Sequence, residues 1–269
     1  MKLSRKATLT TSILLAGGLA LTGCSSPSAP ADGGTTTTQE APAKGGELTK
    51  ENFAERIEKA QLNAGSAHMT MQLGDSVDGA LEADIVLDKD PKKIQMQMSM
   101  DVSGMTSDIR LVDGKMFMNM GELSQNKFLD MSTMPGGAGD ISAMIDQVNP
   151  GSQVGGFSAA LTDFVADPKG PEIDGVKTTQ LTLTLDTRKL FEAQAQTQEG
   201  VDIDTLVSTL GETIVYDMFI GSDDLPRRIV MPNAGGVGTG TVEYSKWGEP
   251  VKVEAPAADE LADASALMG

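Results

Sequence analysis

Alternation of apolar and polar residues is the feature that most restricts the fold of this chain. Between residues 69 and 120, five successive runs place apolar side chains at every second position. A period of two puts those side chains on one face of a β-strand. Turn-forming pairs such as Asp113-Gly114 separate the runs, as is typical of hairpins. The pattern therefore predicts antiparallel strands with one dry face.

Short helical patterns interrupt this alternation. The predicted helices cover about 50–64 with Thr49 as N-cap, 140–148, a stretch carrying Phe157, Leu161, Phe164 and Val165, a segment starting at Thr187, and a stretch around 203–210. Further strands are predicted at 127–131, 179–186, 213–220, 227–232 and 239–247. Strands that do not alternate with helices in a βαβ rhythm indicate an α+β fold. About ten antiparallel strands cannot stay flat, so the sheet must twist and curl around the helices.

The residue types that carry chemistry are scarce. The chain has 269 residues with one Cys and one His, and its formal net charge is −17. A lone Cys excludes an internal disulfide and any multi-Cys metal site, and a lone His excludes two-His metal ligation. The acidic balance argues against nucleic acid as a partner. A Ser–His–Asp triad could form only through His68, and we predict no enzyme, no cofactor and no metal site.

The first 24 residues predict export and lipidation. Three basic residues precede a short apolar run that ends in Leu21-Thr22-Gly23-Cys24. This order is typical of a signal peptide, and its last four residues resemble a bacterial lipobox. We therefore expect cleavage before Cys24, attachment of acyl chains to its thiol, and a location on the extracytoplasmic face of the cell membrane. Acyl chains are needed for this attachment, since the acidic body would be repelled by anionic lipids.

These patterns divide the chain into four parts. Residues 1–23 form the signal peptide, 24–47 a lipidated tether rich in Ser, Pro, Gly and Thr, 48–257 the folded domain, and 258–269 an acidic Ala-rich tail. A tether of this composition cannot form a core. We expect the domain to stay close above a bilayer.

Methionine dominates the predicted dry face. The chain has 16 Met but only 7 Phe, 2 Tyr and 1 Trp. Methionine is flexible and suits surfaces that adapt to a ligand. Two interpretations remain open on composition: an apolar cavity that receives acyl chains, or a core that happens to use methionine. The helix at 140–148 is likewise either a gate or a static packing helix.

Three segments resemble the actinobacterial LppX/LprA/LprF/LprG lipoprotein family, which is related in fold to LolA and LolB. The segments are 109–118 (IRLVDGKMFM), 172–177 (EIDGVK), and the ending 225–228 (LPRR) with 241–251 (TVEYSKWGEPV). The resemblance covers about 48–257. It implies a half-barrel antiparallel sheet with helices in its concave face, and a hydrophobic cavity for acyl chains of envelope lipids or glycolipids.

The resemblance also implies a function and a set of partners. We expect a monomeric, membrane-anchored lipoprotein that carries acylated lipids across the cell envelope, with a membrane transporter as a partner. The alternative is a non-catalytic surface lipoprotein that acts as a protein-interaction or sensory module. The predicted cavity lining is Met71, Met96, Met98, Met118, Met144, Ile145, Leu183 and Met218.

Other polar residues are predicted to have structural roles. His68 has no acidic or serine neighbour in a motif, which indicates a structural or surface position. Acidic pairs such as Asp223-Asp224 lack the spacing of a calcium loop and are expected in turns. Arg227 and Arg228 alternate along a strand, so one of them should point to solvent or the cavity rim. A cross-strand carboxylate is its expected partner, and an anionic lipid headgroup is the alternative.

Overall fold

The fold is taken from a computed structural model that describes residues 46–72, 79–102, 104–133, 141, 145, 149–195, 202–231 and 238–262. The signal peptide, Cys24, nearly all of the tether and Met144 lie outside these residues. The fold is that of these residues alone.

Twelve strands form one open antiparallel sheet. They are β1 (Ser66–Gln72), β2 (Gly79–Val86), β3 (Gln95–Val102), β4 (Met105–Val112), β5 (Lys115–Asn119), β6 (Phe128–Asp130), β7 (Leu161–Asp167), β8 (Glu172–Ile173), β9 (Val176–Asp186), β10 (Thr213–Gly221), β11 (Pro226–Met231) and β12 (Gly240–Ser245). Their order across the sheet is β6-β5-β4-β3-β2-β1-β12-β11-β10-β9-β7, and β8 pairs with β9.

The helices are short, as the sequence predicts. They are α1 (Phe53–Ala64), α2 (Pro150–Ala160), α3 (Thr187–Ala195) and α4 (Ile203–Leu210). Ile141 and Ile145 are also helical, within the predicted 140–148 segment. The predicted fold class, an α+β half-barrel with short helices on the apolar face of one antiparallel sheet, is confirmed, with twelve strands in place of about ten.

Two local predictions about helices are wrong. Asn52, not Thr49, is the N-cap of α1, although Gly65 does end the helix in a left-handed conformation at φ 75°. Helix α2 ends at Ala160, and Phe164 and Val165 lie on strand β7 instead. The backbone of β7 pairs with β9, which places Phe164 opposite Leu183. This tertiary pairing outweighs the helical spacing of the aromatic residues.

The two faces of the sheet differ in what covers them. On the face that we call the inner face, one core cluster lies under the helices and joins Phe53 and Ile57 of α1 to Leu181, Leu183 and Leu185 of β9. We call this cluster the helix-covered half. A second cluster occupies the strands β2 to β5 on the same face and is built around Ile85, Met96, Leu111 and Met116. We call it the methionine half.

A third cluster lies on the opposite, outer face. It contains Val112, Phe117, Phe128 and Val253, and Val86, Val251 and Leu261 pack against it. The segment 249–262, which we call the C-terminal strap, therefore covers part of the outer face. Its end is fixed to edge strand β6, because the Phe128 N–H donates to the Glu260 carbonyl at 2.8 Å and the Ala262 N–H donates to the Phe128 carbonyl at 2.8 Å.

Candidate functional site

Apolar side chains cross the inner face in rows. Residues directly opposite in an antiparallel ladder share a face, so the register defines each row. One row runs Met100, Leu81, Met71, Val242, Ile229, Met218, Leu181, Ala166. A second runs Leu129, Met118, Ile109, Met98, Ala83, Met69, Tyr244. The inner face is thus one continuous apolar surface across eight strands in the first row and seven in the second.

Burial changes along the strands of the methionine half. A third row, near the turn between β2 and β3, is closed: Ala67, Ile85, Met96, Leu111 and Met116 are all less than 7% exposed. In the second row Met69, Met98 and Met118 keep partial exposure, and in the first row Met71, Leu81 and Met100 do as well. Apolar surface therefore becomes accessible toward the end of the sheet that carries the turn between β3 and β4.

The predicted lining residues fall into both halves of the inner face. Met96, Met98, Met118 and Ile145 belong to the methionine half, and Met71 lies in the adjoining row. Leu183 and Met218 belong to the helix-covered half, where they are 0% and 2% exposed. All six described strand residues of the prediction share one face, and their role as cavity lining stays a prediction.

The helices cover the two halves unequally. Helices α1, α2 and α3 contribute Phe53, Val154 and Leu190 to the helix-covered half. In the methionine half, Ile141 packs within the cluster and Ile145 against it. Trp247 also packs there, and its indole Nε1 donates to the Pro226 carbonyl at 2.9 Å. The part of the inner face with accessible methionines is thus distinct from the part that the helices seal.

Both tyrosines of the chain lie on the inner face. Tyr244 stacks on Trp247 with ring centroids 5.6 Å apart, and Tyr216 packs against Phe157 at 5.2 Å. Burial raises the pKa of Tyr244 to about 12 and also raises the pKa of Tyr216. In each case the cause is loss of hydration, which disfavours the phenolate. Both hydroxyls are therefore neutral donors in apolar surroundings.

The lone histidine has neighbours that the sequence analysis missed. Ser245 of β12, His68 of β1 and Asp84 of β2 stand opposite one another on the outer face, and His68 Nδ1 lies 2.8 Å from Asp84 Oδ1. The strand register, which alternation and turn positions already suggest, is the signal that could have found this row. His68 lies on a central strand, where backbone N–H groups are taken by ladder hydrogen bonds. The row therefore lacks the free backbone donors of an oxyanion hole.

Both arginines of β11 are bound to carboxylates, but only Arg228 has the predicted cross-strand partner. Arg228 Nη2 contacts Glu243 Oε1 across the outer face at 2.6 Å, and Arg227 Nη2 contacts Asp223 Oδ2 at 2.6 Å. Asp224 receives two bonds from Arg56, from Nε at 3.0 Å and from Nη2 at 2.6 Å. The pair Asp223-Asp224 thus lies in a turn, as expected, but its carboxylates bind arginines.

Within the described ranges no group of His, Cys, Asp or Glu side chains is arranged to hold a metal ion. No helix among the described residues is long and apolar enough to cross a membrane. A hollow of about 310 Å³ lies beside α1, and it is lined by Glu55, Glu58, Lys59, Leu62, Asn63 and Lys89. Such a charged lining does not suit acyl chains, unlike the inner face.

Comparison with known proteins supports the fold. No family model and no curated protein matches the sequence. Among solved structures, LprF from Mycobacterium bovis aligns with a TM-score of 0.50 at 14% identity, over 78% of this chain and 97% of that chain. The lipoprotein LppX of Mycobacterium tuberculosis aligns with a TM-score of 0.48 at 17% identity, over 77% of this chain and all of that chain. The predicted resemblance is therefore confirmed at the level of architecture: this chain has the fold of LprF.

Proposed function

We propose that this protein is a membrane-anchored lipoprotein that binds acyl chains on the inner face of its sheet and carries acylated lipids across the cell envelope. The observation that carries the proposal is the methionine half. Its row nearest the turn between β2 and β3 is sealed, and its rows toward the turn between β3 and β4 keep accessible methionines. A surface of this form, lined by adaptable thioether side chains, fits linear alkyl chains.

Carriage by such a surface is energetically reasonable. A lipid with two chains of about sixteen carbons exposes about 30 methylene groups, which corresponds to roughly 24 kcal/mol at 0.8 kcal/mol each. The protein does not have to supply this as net affinity. An apolar surface comparable to the bilayer interior makes transfer nearly balanced, so the lipid can be loaded and released.

Attachment to the membrane is proposed through Cys24. One acyl chain binds a bilayer only weakly, whereas two or more hold firmly. Cells fed labelled palmitate should label the wild-type protein, and Cys24→Ala should remove the label and shift the protein from the membrane to the soluble fraction. Retention of the label in Cys24→Ala would contradict the anchor.

Lipid binding is tested by native mass spectrometry of the chain from residue 25, purified from its own host and from a heterologous host. A lipid mass in defined stoichiometry supports the carrier and identifies its cargo. If the protein from both hosts has the mass of the lipid-free chain and takes up no added glycolipid, the result would contradict the carrier function. It would then favour a protein-interaction lipoprotein.

Substitutions in the methionine half localise the site. Met98 and Met118 are partly exposed on the inner face, so glutamine, which is unbranched and of similar length, can replace them without opening a sealed core. Placing an amide among alkyl chains costs about 1–3 kcal/mol, so each change should weaken binding about tenfold. Leu123→Gln is the matched control, since Leu123 is 74% exposed in the β5–β6 connection. If Leu123→Gln lost as much lipid affinity as the methionine variants, the binding site would lie elsewhere.

The proposed function is non-catalytic. The Ser245–His68–Asp84 row combines the residue types of a triad, but it lies on a ladder of central strands without free backbone donors. His68→Ala should therefore leave lipid binding unchanged. Neither the wild-type protein nor His68→Ala should hydrolyse ester lipids.

A further inference from the structure

We propose that the Tyr244 hydroxyl donates a hydrogen bond to a carbonyl oxygen of the bound lipid, so that the site selects acyl esters over chains without a carbonyl. This inference rests on the proposed function, because it names the class of lipid that the same inner face accepts. It concerns a polar contact inside an otherwise apolar site.

Tyr244 lies at the border of the methionine half. Its neighbour in the register is Met69 of β1, in the same row as the partly exposed Met98. The ring stacks on Trp247 with an interplanar angle of 21°, and Trp247 is itself held by its bond to the Pro226 carbonyl. The side chain therefore stands in a fixed orientation at the border of the methionine half.

The hydroxyl of Tyr244 is available to a ligand. Within the described part of the chain it makes no hydrogen bond to another residue, although its surroundings are apolar enough to raise the pKa of Tyr244 to about 12. The Tyr244 hydroxyl is not one of the fully buried side-chain atoms that lack a partner, so it can take a hydrogen-bond partner from outside the protein. Tyr244 keeps partial exposure on the inner face, where a bound lipid would lie. A ligand atom can therefore serve as that partner.

The surrounding charges indicate which acceptor fits. A carboxylate or phosphate would need a cation, but both arginines of β11 are occupied: Arg227 binds Asp223 and the Leu225 carbonyl, and Arg228 binds Glu243 on the outer face. A phenol alone does not offset the cost of burying an anion. A neutral ester carbonyl needs only one donor, which Tyr244 supplies.

Tyr216 provides an internal control. It is also half-buried on the inner face, but it packs against Phe157 of α2 and against the helix-covered half. A lipid in the methionine half would not reach it. Tyr216→Phe and Tyr244→Phe each remove one oxygen atom and keep the ring.

The test uses two probe lipids that differ only in their linkage. One is dipalmitoyl phosphatidylcholine, with ester carbonyls, and the other is its dihexadecyl ether analogue, which lacks them. Dissociation constants are measured by displacement of a fluorescent fatty acyl probe. We expect the wild-type protein and Tyr216→Phe to prefer the ester about three- to tenfold, the effect of one neutral hydrogen bond. Tyr244→Phe should bind both lipids equally.

The outcomes separate this inference from the proposed function. If the wild-type protein binds both lipids with the same affinity, or if Tyr244→Phe keeps the preference, the inference is overturned and acyl-chain binding stands. If neither lipid binds, the proposed function fails. A second readout is the lipid-free melting temperature: Tyr244→Phe should melt no lower than the wild-type protein. A lower melting temperature would show that the hydroxyl already has a protein partner and would overturn the inference.

Discussion

Shortening the chain to residue 257, the predicted end of the domain, should destabilise the fold. The C-terminal strap continues past this point: Glu260 and Ala262 each exchange one 2.8 Å backbone hydrogen bond with Phe128, and Leu261 packs against the outer-face cluster. The cut would remove both bonds and expose an edge strand whose Phe128 is 4% exposed.

The magnitude follows from these contacts. Two backbone hydrogen bonds contribute about 0.5–1.5 kcal/mol each, and partial burial of one leucine contributes about 1 kcal/mol. The expected loss is about 2–4 kcal/mol, and at about 2–4 °C per kcal/mol for a domain of this size the melting temperature should fall by about 4–16 °C.

The assay is urea unfolding and thermal melting of three chains that begin at residue 25 and end at 257, 262 or 269. The chain ending at 262 should retain the stability that the chain ending at 257 loses. Ala262→Pro removes a single donor to the Phe128 carbonyl and should cost about 1 kcal/mol. If the chains ending at 257 and 262 unfold within 0.5 kcal/mol of each other, the strap does not stabilise the domain and this reasoning is refuted.

Three further predictions test other parts of the structure. Leu183→Ala should lower the free energy of unfolding by about 3 kcal/mol, because Leu183 is fully buried, whereas Met98→Ala should lower it by about 1 kcal/mol. Arg56→Lys should cost about 1 kcal/mol in urea unfolding, because lysine cannot make both bonds to Asp224; an unchanged midpoint would contradict this. In an absorbance titration, Tyr244 should ionise near pH 12 and Tyr216 above its usual pKa of 10. The stability contributed by Tyr244 should be full below about pH 10 and lost as pH rises toward 12; two titrations at pH 10 in the folded protein would contradict it.

The strands that are joined by hairpins could be predicted from the sequence. Alternation gives each of β1 to β5 a dry side, and Asp113-Gly114 between β4 and β5 adopts the positive φ angles of a tight hairpin turn, 52° and 70°. These signals are local, so they survive without knowledge of the rest of the fold. The prediction of β7 failed for the opposite reason. Its spacing fits a helix, and only pairing with β9, a distant part of the chain, decides the outcome.

The strap was missed although the strands carry a signal for it. Val112 follows inward-facing Leu111, and Phe117 lies between inward-facing Met116 and Met118. Large apolar residues at outward positions break the alternation, and their neighbours on the outer face must be covered by some other segment. The sequence shows that a cover is needed, but it does not show that residues 249–262 supply it.

The apolar inner face could be predicted from the sequence, but its division into two halves could not. Methionine content and parity place Met71, Met96, Met98 and Met118 on one face, which the register confirms. Whether a methionine is sealed or accessible depends on its distance from the closed end of the sheet, near Trp247, and on which helices lie above it. Those are tertiary facts that no local pattern encodes.

This division explains how one sheet can combine stability with an adaptable surface. The helix-covered half uses leucine, isoleucine and phenylalanine at less than 2% exposure around Leu181, Leu183 and Leu185, and close packing of such side chains stabilises a single structure. The methionine half keeps partly exposed, unbranched side chains that can rearrange around different alkyl chains. A change at Leu183 should therefore affect unfolding more than lipid affinity, and a change at Met98 should do the reverse. The opposite effects expected at Leu183 and Met98 follow from an architecture that separates the proposed lipid-binding surface from an ordinary core.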